Sequence, residues 1–552
     1  MKYSGAELIT HLLERQGIDT VFGIPGGANL PLYNAIYKSK LRHILARHEQ
    51  GAGFMAQGVA RSTGKAAVCL ATSGPGATNL LTAIADAKLD SIPVIAITGQ
   101  VSSGLIGTDA FQEIDTYGMS MPITKHNFLI RSAAELLEVI PEAFRIAVSG
   151  RPGPVLIDVP KDVQQQQIEF SSWPQPGSKI PPIKPDISGI KEAARMLSEA
   201  RRPVLYIGGG IIHGNASELA VRLSHYSSVP AVCTLMGMGV FKSGDPHYLG
   251  MLGMHGARST NEILHNCDLL LAFGTRFDDR ATGKVSEFCP GARIVHADID
   301  DSEFGKIRKP HLALHGDIRE ILSLLLNHVE KKERKDWMDQ IAQIKQKCPS
   351  REISDDMFSP ANLIRSVAAL VDSDTIVCTD VGQHQMWVAQ YYPFSRPRTL
   401  LSSGGLGTMG FGLPAAIGAA LANPERKVIL FTGDGSLLMN IQELATLADL
   451  NLNLTIILFN NGHLGLVRQQ QELFYDKNYI ASRFVTNPDF NAIAEGFGIT
   501  SYNLEDYNLP VHILSRALNE PKSCLINVPI DYSHNVMPIV PPGAANIESV
   551  EG

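Results

Sequence analysis

The chain has 552 residues, a formal charge of −7 and a pI of about 6.2. That balance supplies no basic field, which excludes nucleic acid and an anionic membrane as expected partners. No apolar run reaches about 18 residues, so no membrane span is expected, and Glu7 stands where a signal peptide would be apolar. At about 150 residues per domain the length predicts three or four domains. The seven cysteines form no CxxC pair and no metal spacing, the pattern of free thiols in a reducing cytoplasm.

Residues 1–170 alternate helical patterns with apolar runs at 67–71, 94–98 and 155–159. This predicts an α/β domain with a largely parallel sheet. Residues 171–185 are too rich in proline for a core element and read as a linker. A second α/β domain is predicted over 186–342, with strands near 204–207, 269–273 and 294–297. The charged run 331–336 reads as a solvated helix face, and 345–360 as a second linker. A third domain, 358–540, carries strand patterns at 375–378, 428–431, 455–459 and 524–528. The Pro-rich run Met537-Pro-Ile-Val-Pro-Pro-Gly-Ala-Ala545 cannot be a regular element and is expected, with the C-terminal tail 541–552, to lie across a surface or a site entrance.

The first and third domains echo each other. A shift of 360 residues places Ala56, Gly58, Ala60, Val68, Leu70 and Thr72 on Ala416, Gly418, Ala420, Val428, Leu430 and Thr432. Leu156-Ile-Asp-Val-Pro160 likewise echoes Leu525-Ile-Asn-Val-Pro529. Two echoes in one order predict a duplicated architecture. The shift also sets Glu49 opposite Met409, which places both against one ligand between two domains.

Asp434 and Asn461 are 27 residues apart, each just past a predicted strand, with a helical pattern from Leu437 to Leu450 between them. Neighbouring parallel strand tips form a ligand crevice. A carboxylate, an amide oxygen and a backbone carbonyl near His463 suit Mg²⁺ holding a diphosphate. His48-Glu49-Gln-Gly-Ala52 begins like a zinc HExxH motif but has Ala52 in place of the second His, so zinc is rejected. The small apolar flanks of Glu49 predict a buried carboxylate with a raised pKa. Gly405-Leu-Gly407-Thr-Met-Gly410 fits GxGxxG but follows no clear strand, so a dinucleotide fingerprint is rejected. Tyr206-Ile-Gly208-Gly209-Gly210 follows a strand and reads equally as a phosphate approach or a plain turn.

A GDG triplet followed by an Asn-Asn pair resembles the thiamine diphosphate (ThDP) enzymes. More narrowly, the chain resembles the catalytic subunits of acetohydroxyacid (acetolactate) synthases. The resemblance is carried by Gly23-Ile-Pro-Gly-Gly27, Arg47-His-Glu-Gln-Gly-Ala52, Thr72-Ser-Gly-Pro75-Gly-Ala-Thr-Asn79, Gly107-Thr-Asp-Ala-Phe-Gln-Glu113, Gly150-Arg-Pro-Gly-Pro154, Gly250-Met-Leu-Gly-Met-His-Gly256, Arg276-Phe-Asp-Asp-Arg280 and Val381-Gly-Gln-His384. It implies three domains, binding the pyrimidine, FAD and the diphosphate. It also implies a transferase of branched-chain amino acid biosynthesis (isoleucine and valine). Such an enzyme decarboxylates pyruvate and condenses the two-carbon unit with pyruvate or 2-oxobutyrate. The product is 2-acetolactate or 2-aceto-2-hydroxybutyrate.

The resemblance further implies ThDP contacts at Glu49, Pro75, Asn79, Val381, Gly382, Gln383, His384, Gly407, Met409, Gly433, Asp434, Gly435, Ser436, Asn461, His463, Leu464 and Gly465. Glu49 would hold the aminopyrimidine, Met409 would bend the cofactor, and Gln383 and His384 would donate to the diphosphate. Mg²⁺ falls to Asp434, Asn461 and His463. FAD falls to Arg151, Gly208, Gly209, Thr234, Leu235, His255, Gly256, Gly274, Arg276, Asp278, Arg280, Asp298, Ile299 and Asp317. Phe111, Gln112 and Lys161 match active-site positions, and Arg276 would pair with the acceptor carboxylate. Gln470 stands where many members have Trp, which implies weak discrimination between acceptors. The family's active site joins the first domain of one subunit to the third of another, implying a homodimer or homotetramer, often with a small regulatory subunit. A pyruvate oxidase with the same cofactors, or a non-catalytic scaffold on this fold, stays open at this point.

Overall fold

The computed structural model describes residues 1–348 and 356–551. Three six-stranded sheets organise it, and every strand pair within them is parallel. Their strands read as continuous apolar runs because both faces of a parallel sheet are covered. The first block contains β1 Thr20–Gly23, β2 Arg42–Leu45, β3 Ala67–Ala71, β4 Val94–Gln100, β5 His126–Leu129 and β6 Val155–Pro160. The second contains β7 Pro203–Ile207, β8 Ala231–Cys233, β9 Tyr248–Met251, β10 Leu269–Phe273, β11 Arg293–Asp298 and β12 Leu312–His315. The third contains β13 Ile376–Thr379, β14 Leu400–Leu401, β15 Val428–Gly433, β16 Leu454–Asn460, β17 Thr500–Asn503 and β18 Cys524–Pro529.

The first sheet runs β2-β1-β3-β4-β6-β5 and the third β14-β13-β15-β16-β18-β17. Counted from each block's first strand these are one order, which is the duplication that the 360-residue shift predicts. The second sheet runs β9-β8-β7-β10-β11-β12, the doubly wound order of dinucleotide-binding folds.

The two related blocks meet through equivalent helices, Glu49–Thr63 and Gly412–Ala422. A Cβ on Gly58 would lie 2.0 Å from the Ala415 carbonyl oxygen, and one on Gly418 would lie 2.0 Å from that of Met55. Only glycine lets the backbones come this close. Ala52, Met55, Ala56 and Ala60 share one apolar core with Leu413, Ala416, Ile417 and Ala420.

Several expectations are corrected. The predicted helix from Leu437 to Leu450 is two helices, Asp434–Leu438 and Glu443–Leu450. The break lets the Asn440 amide donate to the Gly410 carbonyl at 2.8 Å. The charged run 331–336 is not a helix face. Its helix starts at Lys335, and Arg334 is buried with its guanidinium on the Ser227 and Leu197 carbonyls. The first linker has no regular element, but Trp173 packs against Tyr3 and Phe170. The predicted second linker, 345–360, starts inside the helix Lys335–Lys347 and ends where another helix begins at Pro360, and its core, 349–355, lies outside the described residues. The tail is seated: Val540 N–H donates to the Met254 carbonyl at 3.0 Å, and Ile539 bridges to Val550.

Candidate active site

The register pairing Gly433 with Phe459 brings the tips of β15 and β16 side by side. Asp434 begins the helix that follows β15, and its side chain is 2 % exposed. One carboxylate oxygen accepts the Gly435 N–H at 2.7 Å, and the other accepts those of Asn461 at 3.1 Å and Gly462 at 2.6 Å. Burial pushes its pKa up to about 6 against those hydrogen bonds. The Asn461 side-chain oxygen accepts the His463 N–H at 3.0 Å, and the His463 ring stacks on Tyr532. Among the described residues no group of three or more His, Cys, Asp or Glu could hold a metal. A cation at Asp434 and Asn461 therefore needs ligand oxygens as well, which suits a diphosphate–Mg²⁺ pair.

Ser436 caps the wall of this crevice by donating to the Val381 carbonyl at 2.6 Å. Gly465 is equally confined, because a Cβ there would meet the Gln383 side-chain oxygen at 2.1 Å. Leu464 and Met409 both border Gly435. Gln383 does not offer its amide to a ligand; it donates to Gln469 at 3.0 Å and to the His534 carbonyl at 2.9 Å. Its oxygen instead meets the Asn461 amide. Burial pushes the His384 pKa down to about 3, with the Asp380 backbone opposing, so the ring is neutral. Its buried Nε2 has no partner, a polar atom left for a ligand.

Glu49 opens the helix Glu49–Thr63, where the helix dipole favours an anion. It is 9 % exposed, and the Asn79 amide donates to it at 2.9 Å. Asn79 lies in the helix Pro75–Leu89, whose first turn stands against Glu49: a Cβ on Gly76 would lie 3.3 Å from its carboxylate. Lys161 begins a helix directly after β6. Phe111 is 87 % exposed and Gln112 takes a positive φ of 60° beside Gly74. Glu113 accepts N–H groups of Thr108 and Ala110 at 3.2 Å and so folds this loop upon itself. The carboxylate of Glu49 bonds within the first block and that of Asp434 within the third.

All three blocks line a cavity of about 530 Å³. Every residue predicted for FAD lies on its wall except Gly256, which packs on the Leu252 backbone. Gly208 and Gly210 touch Gly274 with no room for a Cβ, so the glycine run serves loop packing as well as any ligand. Thr234 and Thr275 leave buried hydroxyls without partners. Asp298 ends β11, and burial pushes its pKa up to about 6. The His255 ring Nδ1 lies 3.1 Å from the Pro538 carbonyl, and the His255 carbonyl accepts the Gln390 amide at 3.0 Å. Asp278 and Asp317 cap helix starts. Arg151 pairs with Asp300 at 3.2 Å and Glu303 at 2.7 Å, tying the first block to the second. Arg280 is exposed, with Nη1 3.3 Å from the Met254 sulfur. Arg276 donates to the Leu89 carbonyl, and Gln470 is exposed on the same wall. An apolar wall with unpaired hydroxyls and strand-tip carboxylates fits a dinucleotide.

Residues 3–119 match the thiamine pyrophosphate enzyme N-terminal TPP-binding domain, 190–325 its central domain and 380–528 its C-terminal TPP-binding domain. The chain is 54 % identical over 552 residues to the acetolactate synthase isozyme 1 large subunit of Escherichia coli K12, covering 100 % of this chain and 98 % of that one. It is 45 % identical over 554 residues to the isozyme 2 large subunit of the same organism, covering 99 % of each. A probable acetolactate synthase large subunit of Methanocaldococcus jannaschii is 45 % identical over 98 % of this chain and 94 % of its own. The chain belongs to the acetolactate synthase large-subunit family.

Membership makes the first and third blocks thiamine pyrophosphate-binding domains. It does not point to two residues that the acetolactate synthase fold places beside Glu49. Glu443, fully buried, accepts the Arg47 and His48 N–H groups at 3.0 Å and fastens the third block to the helix that carries Glu49. Tyr33 hydrogen-bonds His43 at 3.0 Å, and burial together with the charge of Glu49 raises its pKa. Glu443 has no sequence signal because its partners lie in a distant segment, and the Tyr33–His43 pair has none because no motif marks it.

Proposed function

We propose that this protein is the catalytic subunit of an acetolactate synthase. It takes pyruvate, releases CO₂ and joins the remaining two carbons to pyruvate or 2-oxobutyrate. The observation that carries this reading is the end-to-end match to large subunits, with Glu49–Asn79 and Asp434–Asn461 both intact.

Thiamine diphosphate supplies a nucleophilic carbon and an electron sink for the decarboxylation. Asp434, the Asn461 oxygen and the His463 carbonyl would hold Mg²⁺ and through it the diphosphate. Glu49 would hold a proton against a ring nitrogen of the pyrimidine, and Asn79 fixes the carboxylate that does so. Gly407 and Met409 would hold the amino group and the bend. Lys161 and Arg276 offer the two cations for 2-oxo acid carboxylates. The cavity between the three blocks would hold FAD as a structural group, since this condensation has no net redox change.

Gln470 shares the cavity wall with Arg276 and lacks the bulk of the Trp that many members carry there, so the two acceptors compete almost equally. Equimolar pyruvate and 2-oxobutyrate should give products in a ratio near one, and a strong excess of 2-aceto-2-hydroxybutyrate would reject this. The enzyme acts as a homodimer or larger, with a small regulatory subunit as a further partner. A cytoplasmic location fits seven free thiols.

The deciding experiment incubates purified protein with pyruvate, Mg²⁺ and FAD, with and without ThDP, then acidifies to convert acetolactate into acetoin. ThDP-dependent acetoin is expected. Its absence under both conditions overturns the reading, and flavin bleaching matched to pyruvate turnover would make the protein an oxidase.

A further inference from the structure

Three charged side chains are sealed between the first and third blocks. The Arg61 guanidinium donates at 2.9 Å to both Asp86 and Asp90, and the three side chains are 4 %, 0 % and 0 % exposed. Gln57 accepts from the same guanidinium at 2.7 and 3.1 Å. A buried cluster of this kind is costly to assemble unless its polar atoms are satisfied. Here the remaining bonds converge on one loop of the third block, Ser402–Thr408. Arg61 donates to the Ser402 carbonyl at 2.9 Å. Asp90 accepts the Gly404 N–H at 2.9 Å. Asp86 accepts the Thr408 hydroxyl at 3.0 Å and also that of Ser403.

The loop has two faces. Ser403, Gly404, Gly405, Leu406 and Gly407 line the large cavity, as does Asp90. The same loop runs into Gly407 and Met409, and Met409 borders Gly435 beside Asp434. Asp90 Oδ1 is buried without a partner, and a Cβ on Gly405 would stand 2.9 Å from it. The clamp therefore fixes a segment that belongs both to the cavity wall and to the crevice at Asp434.

We propose that Arg61, Asp86 and Asp90 are positioning residues that couple the two sites: a dinucleotide in the cavity sets the Ser402–Thr408 loop, and the loop sets affinity for the diphosphate cofactor. This rests on the reading of the cavity as a flavin site. Coupling of this kind is reciprocal, so each ligand strengthens the other by one factor. A clamp that merely stabilised the fold would leave that factor unchanged.

The test measures the ThDP Kd, in Mg²⁺, by calorimetry on the full chain without FAD and with saturating FAD. The FAD Kd is measured separately by flavin fluorescence. The parent should bind ThDP about fivefold or more tightly with FAD present. Asp90→Asn and Ser403→Ala should bring the factor to about one while each ligand still binds alone. Ser403→Ala removes a single hydroxyl and keeps the experiment decisive if Asp90→Asn misfolds by circular dichroism. Unchanged coupling in Ser403→Ala overturns the proposal. FAD binding with no effect on ThDP in the parent overturns the coupling alone, whereas no FAD binding at all overturns the flavin reading with it.

Discussion

Glu49 is buried at the first turn of its helix, and the Asn79 amide donates to it at 2.9 Å, so the carboxylate is held in one place within the first block. In the proposed reaction that carboxylate shares a proton with a ring nitrogen placed against it. Glu49→Gln keeps the shape and an oxygen for Asn79 but cannot hold the proton. The variant should lose kcat by about 10²-fold or more, the usual worth of such a transfer, with the ThDP Kd within about threefold of the parent, the scale of one neutral hydrogen bond. Steady-state kinetics beside calorimetry separates the two, and a near-normal kcat would remove Glu49 from the chemistry. Asp434 was legible in the sequence because two apolar runs put it and Asn461 at strand tips. Glu443 was not, because its partners Arg47 and His48 lie 396 and 395 residues away.

At the scale of elements, the duplication explains more than the strand order. The helices Glu49–Thr63 and Gly412–Ala422 cross at Gly58 and Gly418, each touching the other backbone. Gly58→Ala or Gly418→Ala must push the helices apart, costing about 1–3 kcal/mol by overpacking. A lower Tm is expected for either, and an unchanged Tm in both would mean the crossing is loose. The copies also differ where it matters chemically. Asp158 in β6 corresponds to Asn527 in β18, and it accepts from Thr98 at 2.7 Å and Gln100 at 3.0 Å. Burial pushes its pKa up to about 7. The folded state therefore holds a proton that the unfolded chain releases near pH 4. The stability this supplies is complete below about pH 4 and is lost as pH rises towards 7. Asp158→Asn should flatten the fall in Tm between those values relative to the parent; equal slopes would show that Asp158 is ionised in the fold. The echo itself was visible from residue identities, since Gly58, Gly418 and the Leu-Ile-Asx-Val-Pro runs stand at matching places. Short edge strands such as β2, β5 and β17 were not, because four partly polar residues carry no period. The charged run before Trp337 misled for another reason: burial of Arg334 depends on carbonyls at Ser227 and Leu197 that no local pattern announces.

For the whole molecule the decisive question is which copies of the two half-sites meet. Asn79 holds Glu49 in the first block, and Asn461 and Gly462 hold Asp434 in the third. Apolar side chains near each half face solvent: Phe111 is 87 % exposed in the first block, and Ile480 and Val485 are 76 % and 100 % exposed in the third. Such a distribution suits an isologous dimer in which each subunit gives its first block to its partner's third. The arrangement predicts complementation. Glu49→Gln and Asp434→Asn should each be inactive alone. In a mixed dimer one site receives both defects and the other receives neither. Random reassociation makes half the dimers mixed, so mixing equal amounts should restore roughly a quarter of the parent rate. If each site were built within one chain, every site in the mixture would carry one defect and no activity would return. Mixing the two proteins after partial denaturation and following acetolactate formation distinguishes these cases, with each variant taken through the same cycle alone as the baseline.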